Sequence, residues 1–168
     1  MGNRFISASY FRNFVFGVED SLVSTVGLVS GIALAGSLSA QILMTGTVLV
    51  FVEAFSMAAG AFLSERSSEE YLQQSSVSPY RSIVAAIIMF FSYLLSGIIP
   101  IAPYLYFDPP IAFTVSVVGS LAALFILGAV GARVSGTHTW SRAIQMSVVG
   151  GIAILLGIVV GQLTGLAV

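Results

Sequence analysis

In 168 residues the chain carries six arginines, seven acids, no lysine and no cysteine, and 57% of its side chains are hydrophobic, for a net charge of −1. Only 8% of the residues are charged, against about 25% in a soluble domain, and the mean hydropathy is +1.02, which excludes an ordinary water-soluble fold. No basic tract offers a footprint to nucleic acid, and without cysteine there are no disulfides, thiolate metal sites or redox pairs.

Five segments reach the roughly 20 apolar residues that a helix needs to cross hydrocarbon: about 13–36, 41–64, 82–106, 111–132 and 143–167. The expected fold is an all-α membrane protein of five transmembrane helices forming a single domain over 1–168. The first segment follows Arg12. It is longer than a signal-peptide core, is interrupted by Glu19 and Asp20, and is followed by no A-x-A-like cleavage site, so it reads as a membrane span and not a leader. Ala35-Gly36-Ser37 forms the turn into span 2, which gives way to the longest connection, the polar stretch from Glu65 to Tyr80. Late in span 3, Pro100 and Pro103 remove backbone donors, so that end is expected to be kinked or unwound. Asp108-Pro109-Pro110 and Gly136-Thr137-His138-Thr139 supply the last two turns. His138 has no acid or second histidine beside it and reads as a solvent-facing loop residue. Tyr104, Tyr106 and Trp140 fall at span ends, where interfacial aromatics belong.

With five spans, Arg4, Arg12, Arg66, Arg81, Arg133 and Arg142 all fall on one side, and the other side has only Asp108. The positive-inside rule then puts the N-terminus in the cytoplasm and the C-terminus outside or in an organelle lumen. Small residues recur at helical spacing as Gly27 and Gly31 in span 1 and as Gly157, Gly161 and Gly165 in span 5. Such stripes let helices approach closely, either within one subunit or between subunits.

Spans 3, 4 and 5 hold no ionisable residue in their interiors, so every acid at membrane depth lies in the first two: Glu19, Asp20 and Glu53. A charged side chain at mid-membrane costs roughly 2.5–3.5 kcal/mol on insertion scales. With no basic residue expected at matching depth, the acids are either protonated or bind cations; protonated carboxyls that only hydrogen-bond neighbouring helices are the structural reading. Counted inward at about 1.5 Å per residue, Asp20 lies roughly 10 Å deep, Met57 roughly 12 Å and Glu53 about 18 Å. Glu53 and Met57 are i,i+4 and share a face that Gly46, Gly60 and Ser64 extend. On span 1 the corresponding stripe is Asp20, Ser24, Gly27 and Gly31, and the two stripes are expected to face each other. Glu19 points about 100° away from Asp20, toward another partner or the water layer. Methionine is usually an apolar gap-filler, but a thioether beside a carboxylate suits a first-row transition ion better than Mg²⁺ or Ca²⁺. At the cytoplasmic end, Glu65 and Glu69 stack on one face if span 2 continues as a helix, and with Glu70 they either gather cations or form a solvated helix end beside Arg66.

FGVEDSLVSTVGLVSG, followed by EAFSMAAGAFLSERSSEE, resembles the paired helix 1 and helix 2 signatures of the vacuolar iron transporter family (VIT/CCC1-like), G-x-x-D-G-L-V-S/T and S-M-x-x-G-x-Y-L-S. GIIPIAPYLYF is similar to the family's helix 3 ending, and the five spans agree, so the likeness covers nearly the whole chain. The resemblance implies a homodimer in the lipid bilayer, with a pathway between helices 1 and 2 of both subunits that carries Fe²⁺, and in some members Mn²⁺, out of the cytoplasm in exchange for protons. Asp20 matches the helix 1 aspartate and Met57 the helix 2 methionine, both pathway ligands in the family. Three departures stand out. Ser21 replaces a glycine; Leu49 occupies the place of the helix 2 glutamate of eukaryotic members, with Glu53 one turn before the methionine instead; and only about sixteen residues, with three glutamates and no methionine, stand where plant and fungal members carry a metal-collecting insert.

The leading expectation is therefore a divalent-metal/proton antiporter, not an enzyme, with no permanently bound cofactor. Asp20, Met57 and Glu53 are its metal-site residues, and Glu19, Glu65, Glu69 and Glu70 are secondary candidates. The missing insert and compact loops point to a prokaryotic plasma membrane. The alternative from another class is a non-transporting anchoring or assembly subunit with structural acids. No Ser/His/Asp set, His cluster or zinc signature supports a membrane enzyme.

Overall fold

The computed structural model describes residues 2–74 and 78–165, with side chains from residue 8 to residue 164 outside the gap. Arg4 and the side of the glycine stripe at Gly165 therefore lie outside the described side chains, as does the middle of the Glu65–Tyr80 connection. The described residues are helical without strands. The elements are α1 (Gly2–Leu34), α2 (Ser39–Gln73), α3 (Tyr80–Ser96), α4 (Ile98–Ile101), α5 (Pro103–Tyr106), α6 (Pro109–Ser135) and α7 (Thr139–Gly165). Five stretches are long and apolar enough to cross a membrane: Ala8–Leu34, Ser39–Gln73, Tyr80–Ile101, Pro109–Ser135 and Thr139–Thr164.

The expected spans underestimate the first two helices. α1 starts at Gly2 and not near residue 13, and α2 runs 35 residues, about 50 Å, well beyond the roughly 30 Å hydrocarbon core. The polar tail of span 2 is thus helix as far as Gln73, and the true connection is short. Polarity marks where a span leaves the membrane, not where its helix ends. Gln74, at φ 51°, closes α2.

The proline reading holds. Pro100 and Pro103 lack the N–H groups that would continue the helix ladder, and span 3 breaks at Gly97 and again at Ala102 into two four-residue helices. Backbone angles at both breaks stay in the right-handed helical region, so the end is kinked and not unwound. The Pro100 carbonyl accepts a 2.7 Å hydrogen bond from Ser116 on α6, which pins the kink. Gly36 (φ 86°) and Gly136 (φ 68°) make the expected turns, in a left-handed conformation that glycine adopts without a Cβ penalty.

α1 is the central helix, touching α2, α3, α6 and α7, whereas α2 lies at the periphery, mainly against α3. The small-residue stripes are used inside the subunit. A Cβ on Gly31 or Gly161 would run into the backbone of the facing helix at Gly157 or Gly31, and one on Gly27 would lie 3.1 Å from the Ala153 carbonyl. Backbone therefore packs on backbone between α1 and α7. Tyr106 and Trp140 are exposed at their span ends, whereas Tyr104 packs in the cluster of Val29, Ile42, Val50, Ile101 and Ala112.

Candidate functional site

The register between α1 and α2 is fixed at its arginine-bearing end by Glu65, whose carboxylate accepts a 2.7 Å hydrogen bond from Ser9 and a 3.3 Å ion pair from Arg12. Moving inward, Met57, Gly60 and Ser64 of α2 share a cavity of about 610 Å³ with Arg12, Asn13 and Phe16 of α1, and Met89 of α3 lies against it. Deeper still, Gly46 packs on Val29. This antiparallel progression, with Ser9 on Glu65 and Val29 on Gly46, sets Asp20 opposite residues 54–55, midway along the α2 turn from Glu53 to Met57.

The third side of the site comes from α3, which the acid and methionine pattern did not reveal. Tyr93 is fully buried. Its phenol shares a 2.8 Å hydrogen bond with Ser24, and its carbonyl accepts a 2.7 Å bond from Ser21. Ser21 and Ser24 follow Asp20 by one and four positions, so a single α3 residue holds the α1 turn just beyond the aspartate. A tyrosine among the apolar residues of YRSIVAAIIMFFSYLLS, one turn from small serines, was the available signal.

The two small stripes do not face each other along their length. Ser24 meets Tyr93, and Gly27 and Gly31 meet α7, so beyond Asp20 the span 1 stripe serves packing. Gly60 has open space where a Cβ would stand, which leaves the Met57 cavity unobstructed.

Glu19 turns away from Asp20 toward α6 and α7. It lines a cavity of about 350 Å³ with Arg12 and Arg142, between α1, α6 and α7. An arginine thus lies within reach of an acid expected to have none, because α7 begins near that level. The three glutamates of the α2 extension are each engaged: Glu65 by Arg12, Glu69 by Arg81 at 3.3 Å and Glu70 by Arg66 at 2.9 Å. Among the described residues, no three His, Cys, Asp or Glu side chains cluster closely enough to hold a metal ion.

The family model described as the VIT family matches residues 11–83 and 73–162. The chain belongs to the VIT family. Both matches together take in α1 through almost all of α7, including Asp20, Glu53, Met57 and Tyr93. VIT-family proteins are membrane transporters of metal ions, and five apolar spans make this one a multi-pass integral membrane protein. A search among curated proteins returned no match.

Proposed function

We propose that this VIT-family chain exports Fe²⁺, Mn²⁺ or both from the cytoplasm in exchange for protons. The observation that carries the reading is the α1–α2 register, in which Ser9 bonds Glu65 and Val29 packs on Gly46, so that Asp20 stands opposite the α2 turn that runs from Glu53 to Met57. Two carboxylates held side by side in a low-dielectric region repel each other. A divalent cation or added protons relieve that repulsion, so metal and protons compete for the same oxygens, and this competition couples the fluxes. A soft sulfur next to hard oxygens favours a first-row transition ion over Mg²⁺ or Ca²⁺.

Asp20, Glu53 and Met57 are all partly exposed at the rim of the subunit, where α2 is covered only by α3 and part of α1. Ionised groups do not persist against lipid, so a second copy closes the path and contributes its own donors. In this reading the protein is a homodimer, its N-terminus lies in the cytoplasm, and its membrane is a prokaryotic plasma membrane. Glu65, Glu69 and Glu70 order the cytoplasmic end through arginine pairs and leave few free carboxylates for metal capture.

The test is a flux assay in proteoliposomes over Fe²⁺, Mn²⁺, Co²⁺, Zn²⁺ and Mg²⁺, with a pH dye inside. The expected result is movement of Fe²⁺ or Mn²⁺, with opposite proton movement and no response to Mg²⁺. No flux of any metal, together with no metal-dependent thermal shift, favours an anchoring or assembly subunit with structural acids.

A further inference from the structure

At the cytoplasm-facing end the charges are segregated. All three acids of the α2 extension are paired with Arg12, Arg66 and Arg81, on the α1–α2–α3 side. Among the described residues, Arg133 and Arg142 alone of the arginines form no ion pair, and both flank the α6–α7 turn on the other side. Arg142 faces the Glu19 cavity. Arg133 instead lines a separate groove of about 430 Å³ between α6 and α7, with Phe125, Ala129, Thr139, Trp140 and Ala143. Its one cation is therefore joined to two donors, the Thr139 hydroxyl and the Trp140 indole N–H, and no carboxylate lines it.

The groove is amphipathic along its length. Trp140 is held edge-on against Phe125, with ring centroids 5.8 Å apart, and remains 73% exposed, as an interfacial tryptophan does. From Phe125 and Ala129 the surface continues along α6 and α7 through exposed Ile126, Val130, Ile144 and Val148. A guanidinium at one end binds phosphate oxygens through paired N–H donors, and the apolar run accepts an acyl chain. A soluble anion would use only the first part.

We propose that the α6–α7 groove is a binding site for an anionic phospholipid, with the headgroup phosphate on Arg133, Thr139 and Trp140 and an acyl chain along the α6–α7 surface. Basic pockets between membrane helices bind acidic headgroups in this way. A zwitterionic lipid brings its own cation and gains less from an unpaired arginine. The site is on the opposite side of α1 from Asp20 and Met57, and it stands whether or not the chain carries metal.

Trp140 is the chain's one tryptophan, so its fluorescence reports on this groove alone. The full chain is reconstituted in bilayers in which phosphatidylglycerol or phosphatidylcholine carries dibrominated acyl chains, and quenching is measured against mole fraction. The expected result is a preference for phosphatidylglycerol of about fivefold, the worth of one interfacial arginine. That preference disappears in Arg133→Gln and persists in Arg81→Gln, which removes an arginine from the other side. Equal quenching by the two lipids, or a preference that survives Arg133→Gln, overturns the proposal. Inorganic phosphate at millimolar concentration is the competing arm: a preference abolished by it would assign the site to a free anion instead of a lipid.

Discussion

The Ser24 hydroxyl and the Tyr93 phenol hydrogen-bond at 2.8 Å in the middle of the bundle, one helical turn from Asp20. Ser21 bonds the carbonyl of the same tyrosine, so α3 holds α1 at two points in the turn that follows the aspartate. Tyr93→Phe keeps the ring and removes one bond. It is expected to cost about 1 kcal/mol of stability and to raise the metal KM while leaving the maximal flux nearly unchanged. Thermal unfolding and a metal titration of flux check the two parts separately.

Met57→Leu keeps the volume and apolar character of the side chain and removes only the sulfur. Stability is expected to change by less than about 1.5 kcal/mol, while flux of the transition ion falls. If flux is unaltered at every metal concentration, the thioether is packing and not a ligand.

The α1–α7 contact predicts a contrast between two glycines. Gly31→Ala drives a methyl group into the Gly157 backbone, whereas Gly60→Ala meets open space. The first is expected to destabilise by about 3 kcal/mol, the upper end of overpacking costs, because neither backbone can yield. The second should leave stability within about 0.5 kcal/mol. Melting temperatures in one detergent compare them directly.

Among the glutamates of the α2 extension, Glu65 differs from Glu70 in burial and in partners. Its side chain is 16% exposed and takes bonds from Ser9 and Arg12, while Glu70 is 40% exposed in an i,i+4 pair with Arg66. Glu65→Gln is expected to cost about 1–3 kcal/mol, as the Ser9 and Arg12 contacts weaken together. Glu70→Gln should cost about 0.3–0.5 kcal/mol and lose even that at high salt. Denaturation at low and high ionic strength distinguishes them.

Much of this was legible in the sequence, for identifiable reasons. Lengths of apolar sequence report membrane thickness, so five spans and their turns at Gly36 and Gly136 could be read directly. Pro100 and Pro103 act through a missing N–H, a local property, and the kink appears where they stand. The α1–α2 register was not legible, because it depends on where Ser9 and Arg12 meet Glu65 in three dimensions. The role of Tyr93 was hidden for the same reason: nothing in its own helix tells which neighbour its hydroxyl meets. Glu19 shares a cavity with Arg142, on a helix more than a hundred residues away, through packing that periodicity does not encode.

The central claim is that Asp20 and Glu53 hold metal and protons in turn on one pathway. Its most direct measurement is simultaneous Mn²⁺ or Fe²⁺ flux and internal pH in proteoliposomes of the unaltered chain, Asp20→Ala and Glu53→Gln. The account predicts opposite metal and proton fluxes in the unaltered chain, loss of both in Asp20→Ala, and metal flux with an altered proton ratio or none in Glu53→Gln. Undiminished, proton-coupled metal flux in Asp20→Ala would contradict it.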